Sequence, residues 1–384
     1  MKTSAPKISV TSQTLGRNND QVREHNLAAI LTLLSQSKSL TRSELVELSG
    51  LNRSTISVLM TELQALGLVS ETSPDETPNK GRPSFVASLS SEVAVFGVNV
   101  ESSFTDVCLV SLRGEIIASH RIATPELPAP ESIIAQIKDA ISNLKSAQGD
   151  TLRIAGIGVA VPGQVRVADG QVRLAPHLQW VEVPFASMLE AATGMPVFLG
   201  NNASLGATAE HAFGAAKGYD EVVYLYGGTS GIGGGVIVRG ELLRGAAGYA
   251  GELGHVVLSD SSREDYSGFH GTLEAALDRG DSESSPPASA EALENQCRLL
   301  GAAISSFANI FNPQVILLGG FLGSIFAQAE EVVTSFALER ILGAPAENLK
   351  IMRAELGSTQ IIKGAAGLPI SALIQAPKAS SAVL

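Results

Sequence analysis

Arg113-Gly114-Glu115-Ile116-Ile117 recurs 126 residues later as Arg239-Gly240-Glu241-Leu242-Leu243. Around this match Val98, Val100, Val110 and Leu112 align, without a gap, on Tyr224, Tyr226, Val236 and Val238. Each copy alternates apolar residues at period two, turns at the Arg-Gly pair and starts a further strand. Any two β-hairpins share some of that alternation, so it is the five-residue match at the turn that favours duplication over coincidence. Helical and short-strand signals follow, as in Ser132–Lys145 and then Ile154–Val161. Duplication of such a unit predicts two α/β halves with a cleft between them.

Composition bounds what else the chain can be. Its 384 residues are 45% hydrophobic and 17% charged, which excludes a mainly disordered protein. At roughly 100–200 residues per domain the length suggests two or three folded units. Thirty-eight glycines without a repeating triplet mean tight turns, not collagen. Two cysteines, Cys108 and Cys297, supply neither a disulfide framework nor a four-thiolate metal site. No apolar run reaches the ~18–20 residues that span a bilayer. Lys2 and Lys7 have no apolar stretch behind them, so residues 1–20 read as a disordered tail and not a signal peptide. The expectation is a cytoplasmic protein with no membrane partner.

The net charge of −11 argues against nucleic acid until it is divided. Residues 1–88 hold nine Lys and Arg against eight Asp and Glu, whereas the rest holds eighteen against thirty. The acidic excess lies outside the leading segment. There, Leu27, Ile30, Leu31 and Leu34 mark one face of a helix. Thr41-Arg42-Ser43-Glu44 is a capping box opening a second helix with Leu45 and Leu48 inward. Ser49-Gly50-Leu51 turns the chain, and Asn52 caps a third helix whose buried stripe is Ile56, Leu59, Leu63 and Leu66. That helix presents Arg53, Ser54, Thr55 and Ser57 at its N-terminal end, where a recognition helix meets base edges and phosphates. Leu68-Val69-Ser70 and Ser84-Phe85-Val86 read as two strands around a wing carrying Lys80 and Arg82. A plain three-helix bundle with a solvated polar face shares the helical pattern. The caps, the glycine turn, the small polar face and the basic wing together favour a winged helix-turn-helix, with Arg42 and Asn52 added to its DNA-facing residues.

Two motifs in the remainder suit a small ligand. Gly227–Gly235, with Thr229, Ser230 and Ile232 among its glycines, lets backbone N–H groups approach a phosphate, although such a run also makes a tight hairpin and nothing more. Gly251-Glu252-Leu253-Gly254-His255 and Glu274 place two carboxylates and an imidazole in one region, a set that suits the vicinal hydroxyls of a polyol.

From Asn26 to Gly367 the chain resembles the ROK (repressor, open reading frame, kinase) family in its transcriptional-regulator branch. The resemblance rests on Gly81-Arg82-Pro83, Gly158–Gly163, Ala175–Trp180, the glycine run, Gly251–His255 and Asn309–Gly320, in that order and spacing. It implies a two-lobed, actin-like (ribonuclease H-like, duplicated) α/β domain behind the winged helix. By the same resemblance, Asn201, Asn202, Glu252, His255 and Glu274 contact a sugar, with Gly163 as a backbone contact. His177 stands where the family more often has asparagine.

Departures from the family pattern decide the branch. Kinase members carry an Asp-x-Gly-x-Thr-type phosphate loop, and here the stretch is Asn99-Val100-Glu101-Ser102-Ser103. Their general base is the Asp of an Asn-Asp pair, and here the pair is Asn201-Asn202, an amide that cannot take the sugar's proton. The cysteine run that completes the family's zinc site reads Asp265-Tyr266-Ser267-Gly268-Phe269-His270-Gly271-Thr272, so no metal is expected, and no cofactor.

The sequence thus predicts a winged helix-turn-helix over 21–88 and a ROK sensing and dimerisation domain over 89–384, with lobes near 89–199 and 200–384. The expected function is a sugar-responsive repressor of carbohydrate genes, without kinase activity. Its partners are double-stranded operator DNA, a sugar or sugar-phosphate effector and a second copy of itself, as a homodimer or higher homo-oligomer. The rivals are a ROK sugar kinase with an appended DNA-binding head, and a regulator whose sugar pocket is vestigial.

Overall fold

The computed structural model describes residues 18–72, 85–124, 127–149, 152–259, 268–277 and 289–381. It divides into two units, Met1–Ser90 with Ala372–Leu384, and Ser91–Ser371. In the first unit, α1 (Asn19–Gln36) starts on a capping box between Asn18 and Gln21 and buries Leu27, Ile30, Leu31 and Leu34. A short strand β1 (Leu40–Thr41) leads into α2 (Arg42–Ser49). The Thr41 hydroxyl accepts from the Glu44 N–H at 3.2 Å, and the Glu44 carboxylate accepts from the Thr41 N–H at 2.7 Å. The Thr41 N–H, and the Thr41 hydroxyl donating to the same carboxylate at 2.8 Å, hold Glu44 below the usual carboxylate range. Gly50, at φ 70°, ends α2 in the left-handed region.

Asn52 opens α3 (Arg53–Ala65) by accepting from the Thr55 N–H at 2.8 Å. The helix buries Ile56, Leu59, Met60 and Leu63, and each such side chain contributes about 1.5–3 kcal/mol on full burial. Strands β2 (Val69–Thr72) and β3 (Val86–Leu89) pair antiparallel, and β3 also pairs with β1. Three details differ from the sequence reading. Leu48 is 56% exposed, because Leu45 alone seats this two-turn helix and Leu48 lies in its last turn. Leu66 is only half-buried, and Met60 fills the stripe in its place. Phe85 precedes its strand and is exposed, while Lys80, Arg82 and Ser84 lie outside the described residues.

The second unit is the duplication. β4 (Val93–Val100), β5 (Phe104–Ser111) and β6 (Ile116–Ala123) form an antiparallel meander, followed by α4 (Pro130–Ala147) and β7 (Arg153–Val161). A small antiparallel sheet of β8 (Gln164–Arg166), β9 (Gln171–Ala175) and β10 (Trp180–Val183) comes next, then α5 (Phe185–Thr193) and β11 (Val197–Asn201). After α6 (Asn202–Phe213), β12 (Val222–Gly228), β13 (Gly231–Val238) and β14 (Glu241–Leu242) repeat the meander. Then follow α7 (Leu273–Leu277), α8 (Ala290–Phe311), β15 (Val315–Gly319), α9 (Gly320–Gln328), α10 (Glu330–Leu338), α11 (Gly343–Ala346), β16 (Lys350–Arg353) and α12 (Gln360–Gln375).

The sheets run β6-β5-β4-β7-β11 and β14-β13-β12-β15-β16. In each, the first three strands are antiparallel and the last two are parallel to the central one. Identical order and direction make this the duplicated, actin-like arrangement. The Arg-Gly pairs turn both meanders, with φ of 77° at Gly114 and 75° at Gly240.

One face of the first sheet packs on α4 and α5 through Val98, Val100, Ile137 and Phe185. The second sheet packs on α8 and α9 through Val223, Ile304 and Phe321. Between the sheets lie α12, whose Ile362 carbonyl and Ala366 sit against Gly97, and α6, whose Ala203 and Ala207 sit against Gly233 and Gly235. Tyr224 donates to Gln360 at 2.7 Å and so ties the second sheet to α12. Buried Glu210 accepts from the N–H groups of Ala215, Glu355 and Leu356, at 2.9, 3.2 and 2.8 Å, and anchors the end of α6.

The last helix, α13 (Pro377–Ser381), belongs to the first unit, where the sequence reading placed everything after residue 88 in one domain. The reason is a charge cluster: Lys378 Nζ lies 3.2 Å from Glu62, which also accepts from Arg23 Nε at 2.7 Å. Burial pushes the Glu62 carboxyl up, but its hydrogen bonds to Arg23 and Lys378 outweigh this and hold it low. No described helix is long and apolar enough to cross a membrane.

Candidate functional site

The start of β13 gathers the sugar-site candidates. Gly231 begins the strand at φ 100°, and a Cβ there would meet the carboxylate of Glu274. That contact exists because Glu274, buried at the start of α7, accepts from the Ile232 N–H at 2.6 Å. Gly254 packs on the Ile232 backbone and Leu253 on Gly234, which sets the 3-10 turn Leu253–His255 alongside β13. From α6, Ser204 Oγ donates to the Gly234 carbonyl at 3.3 Å. Glu252, His255, Glu274 and the head of α6 therefore surround one hairpin.

Glu252 reaches solvent, yet enough protein flanks it for desolvation to raise its carboxyl above the usual range, with His255 pulling it back down. The His255 ring meets the Phe269 ring edge-on, with centroids 5.8 Å apart.

Asn201 caps α6 by accepting from the Ser204 N–H at 3.0 Å, and donates through Nδ2 to the Gly163 carbonyl at 2.9 Å. Gly163 has φ 101° and lies against the Leu174 carbonyl, so no larger residue fits. Asn202, the first residue of α6, accepts from the Ala203 N–H at 2.8 Å and donates to Glu101 Oε1 at 3.3 Å. The second Glu101 oxygen accepts from Ser230 Oγ at 2.9 Å. Sequence reasoning marks Glu101 as a departure from the phosphate loop and Ser230 as part of the glycine run, but misses that the two meet. His177 sits in the 3-10 turn Pro176–Leu178, just before Trp180, whose indole donates to the Pro128 carbonyl at 2.9 Å.

The family's zinc does not fit these residues. Both thiols are buried elsewhere: Cys297 lies on the core-facing side of α8, and Cys108 lies in β5, its thiol pushed up to about 12 by burial. Asp265 lies outside the described residues, and no group of three His, Cys, Asp or Glu side chains among the described residues could hold a metal.

The nucleic-acid candidates separate into two groups. Arg53 and Ser54 are exposed and Thr55 is half-buried at the first turn of α3. Ser54 Oγ donates to Asn52 Oδ1 at 2.7 Å, so Asn52 is occupied by its own helix. Arg42 forms a two-pronged ion pair with Glu71, at 2.7 and 2.6 Å, and donates to Ser57 Oγ at 3.3 Å. The Glu71 hydrogen bonds raise the guanidinium's proton affinity further. Arg42 and Ser57 thus brace α2, α3 and β2, and of the candidates Arg53 and Ser54 remain exposed at the first turn of α3.

A duplicated α/β body of this strand order is an actin-like arrangement, with acceptors and donors gathered at a glycine hairpin as its candidate ligand site. Residues 95–279 match the ROK family. It is 27% identical over 399 residues to a xylose repressor of Caldicellulosiruptor bescii, covering 94% of this chain and 99% of the relative. It is also 29% identical over 292 residues to a glucokinase of Thermotoga maritima, covering 66% of this chain and 90% of the relative. In fold it matches a ROK family transcriptional regulator, a homolog of the Escherichia coli Mlc protein, with a TM-score of 0.80 and 23% identity over 95% of this chain and all of that one. The repressor and regulator matches extend across nearly the whole chain, whereas the kinase match spans two thirds.

Proposed function

We propose that this chain is a sugar-responsive, DNA-binding transcriptional repressor that has no sugar kinase activity. The observation that carries the reading is the side chain at the family's general-base position. Asn202 is an amide, and it donates to a buried carboxylate instead of facing a proton it could accept. Phosphoryl transfer then lacks its base, while the hydrogen-bonding set for a polyol remains: Asn201, Asn202, Glu252, His255 and Glu274, with Gly163 at the wall.

Arg53, Ser54 and Thr55 of α3 read the operator, with Lys80 and Arg82 on the wing at its phosphates. The chain acts as a homodimer in the cytoplasm, so the operator has two half-sites about one helical turn, ~34–36 Å, or a multiple of it apart. Effector binding shifts operator affinity only through different affinities for two states of the repressor. Named relatives make pentoses and hexoses the first ligands to try.

Selection from a random duplex library, followed by footprinting at stated salt, identifies the operator. Anisotropy titrations with a panel of sugars and sugar phosphates then read the response. Release of protein from a paired site by one sugar supports the proposal. An unpaired single site sinks the homodimer, and hexose-dependent release of ADP from ATP sinks the claim that the chain is no kinase.

A further inference from the structure

The cleft contains a buried carboxylate that polyol recognition does not require. Glu101 is 5% exposed, and its two oxygens take hydrogen bonds from Asn202 Nδ2 and Ser230 Oγ, residues 101 and 129 positions away. Asn202 begins a helix of twelve residues, so the carboxylate lies at the helix end whose partial positive charge favours an anion. Ser230 belongs to the glycine hairpin whose next two residues are gripped by Glu274. Helix start and glycine hairpin are the elements with which proteins commonly cradle phosphate. Here the chain's own anion is already between them.

We infer that Glu101 is a specificity residue: its carboxylate occupies the seat between α6 and the β12–β13 hairpin and makes the cleft select an uncharged sugar over its phosphate ester. This rests on the sugar-sensing reading above and narrows it from sugar or sugar phosphate to the neutral ligand. A phosphoryl group entering beside Glu101 meets like charge in a site already holding Glu274 and Glu252. At ~6 Å and an effective dielectric between about 20 and 80, that repulsion lowers affinity roughly threefold to a hundredfold per unit charge. A hydroxyl pays no such penalty and finds acceptors.

Glu101→Gln removes the charge and keeps the tie, since the amide oxygen accepts from Asn202 and the amide nitrogen donates to the Ser230 hydroxyl. Titration calorimetry of the full chain, with aldoses each paired with its phosphate monoester, reads the ratio of the two dissociation constants. The expected wild-type ratio favours the neutral sugar, and E101Q lowers it about tenfold or more. A wild-type chain that binds the ester as tightly as the sugar overturns the inference, as does an unchanged ratio in E101Q. If the wild-type chain binds no sugar, the sensing reading fails separately. The seat is then read with inorganic phosphate at constant ionic strength: E101Q should gain thermal stabilisation that wild type lacks, and equal curves overturn the inference.

Discussion

The two copies of the meander have the same strand order and meet near their tips, but the tips differ in kind. The first turns through Glu101, Ser102 and Ser103, and the second through a run of glycines around Ser230. One tip contributes a carboxylate, the other a backbone that neighbours can approach closely. Their outer strands differ too, since β6 runs eight residues and β14 only two. Duplication therefore fixes topology, and the chemistry lies where the copies have diverged.

Substituting the glycine tip should have the largest effect. Gly231→Val forces a β-branched residue to φ 100° and drives it into the Glu274 carboxylate. We expect a loss of about 3 kcal/mol in denaturant unfolding, from backbone strain and steric conflict together. Ser103→Gly, at the exposed residue of the other tip, should change stability by under about 0.5 kcal/mol. Equal losses at both tips would remove the asymmetry.

Glu274→Ala comes next. It leaves the Ile232 N–H without its 2.6 Å acceptor and removes a candidate sugar contact. Hydrogen bonds to charged groups are worth about 1.5–3 kcal/mol, so effector affinity should fall roughly ten- to a hundredfold by calorimetry. An unchanged affinity would place the sugar elsewhere.

A smaller effect separates Arg42 from Arg53 in the DNA-binding head. Glu71→Ala releases Arg42 from its ion pair and should cost the head about 1 kcal/mol. Arg53→Ala should leave stability within about 0.5 kcal/mol and weaken operator binding, with a shallower salt dependence if it contacts phosphate. The reverse pattern would make Arg42 the DNA contact.

What the sequence made legible was local or periodic. Capping at Thr41–Glu44 and Asn52, the buried faces of α1 and α3, and the repeated meander each follow from neighbouring residues. Glu252, His255 and Glu274 were marked by residue type, and β13 brings them to one hairpin. Ties between distant residues were not legible. Arg42 looks like a DNA contact until Glu71, 29 residues on, is seen holding it. Lys378 gives no sign in sequence that it meets Glu62, and Glu210 none that it collects three backbone N–H groups. Leu48 misled because helical spacing marks a face but cannot say where a short helix runs out of neighbours.

The smallest expected effect concerns pH. Desolvation holds the Glu252 carboxyl above its ordinary value, and His255 opposes that shift. A raised carboxyl in the folded chain means that the protonated form appears at a higher pH than in an unfolded one. Ionised Glu252 offers acceptors to sugar hydroxyls; once protonated, one oxygen becomes a donor and that match is lost. Effector affinity should therefore hold steady at neutral pH and fall severalfold as the pH drops through the raised value, before an ordinary glutamate titrates. His255→Gln removes the opposing influence, so the fall should begin at higher pH still, while Glu252→Gln should flatten this part of the profile. A profile that H255Q leaves in place would uncouple the two residues, and the carboxylate would then answer only to its burial.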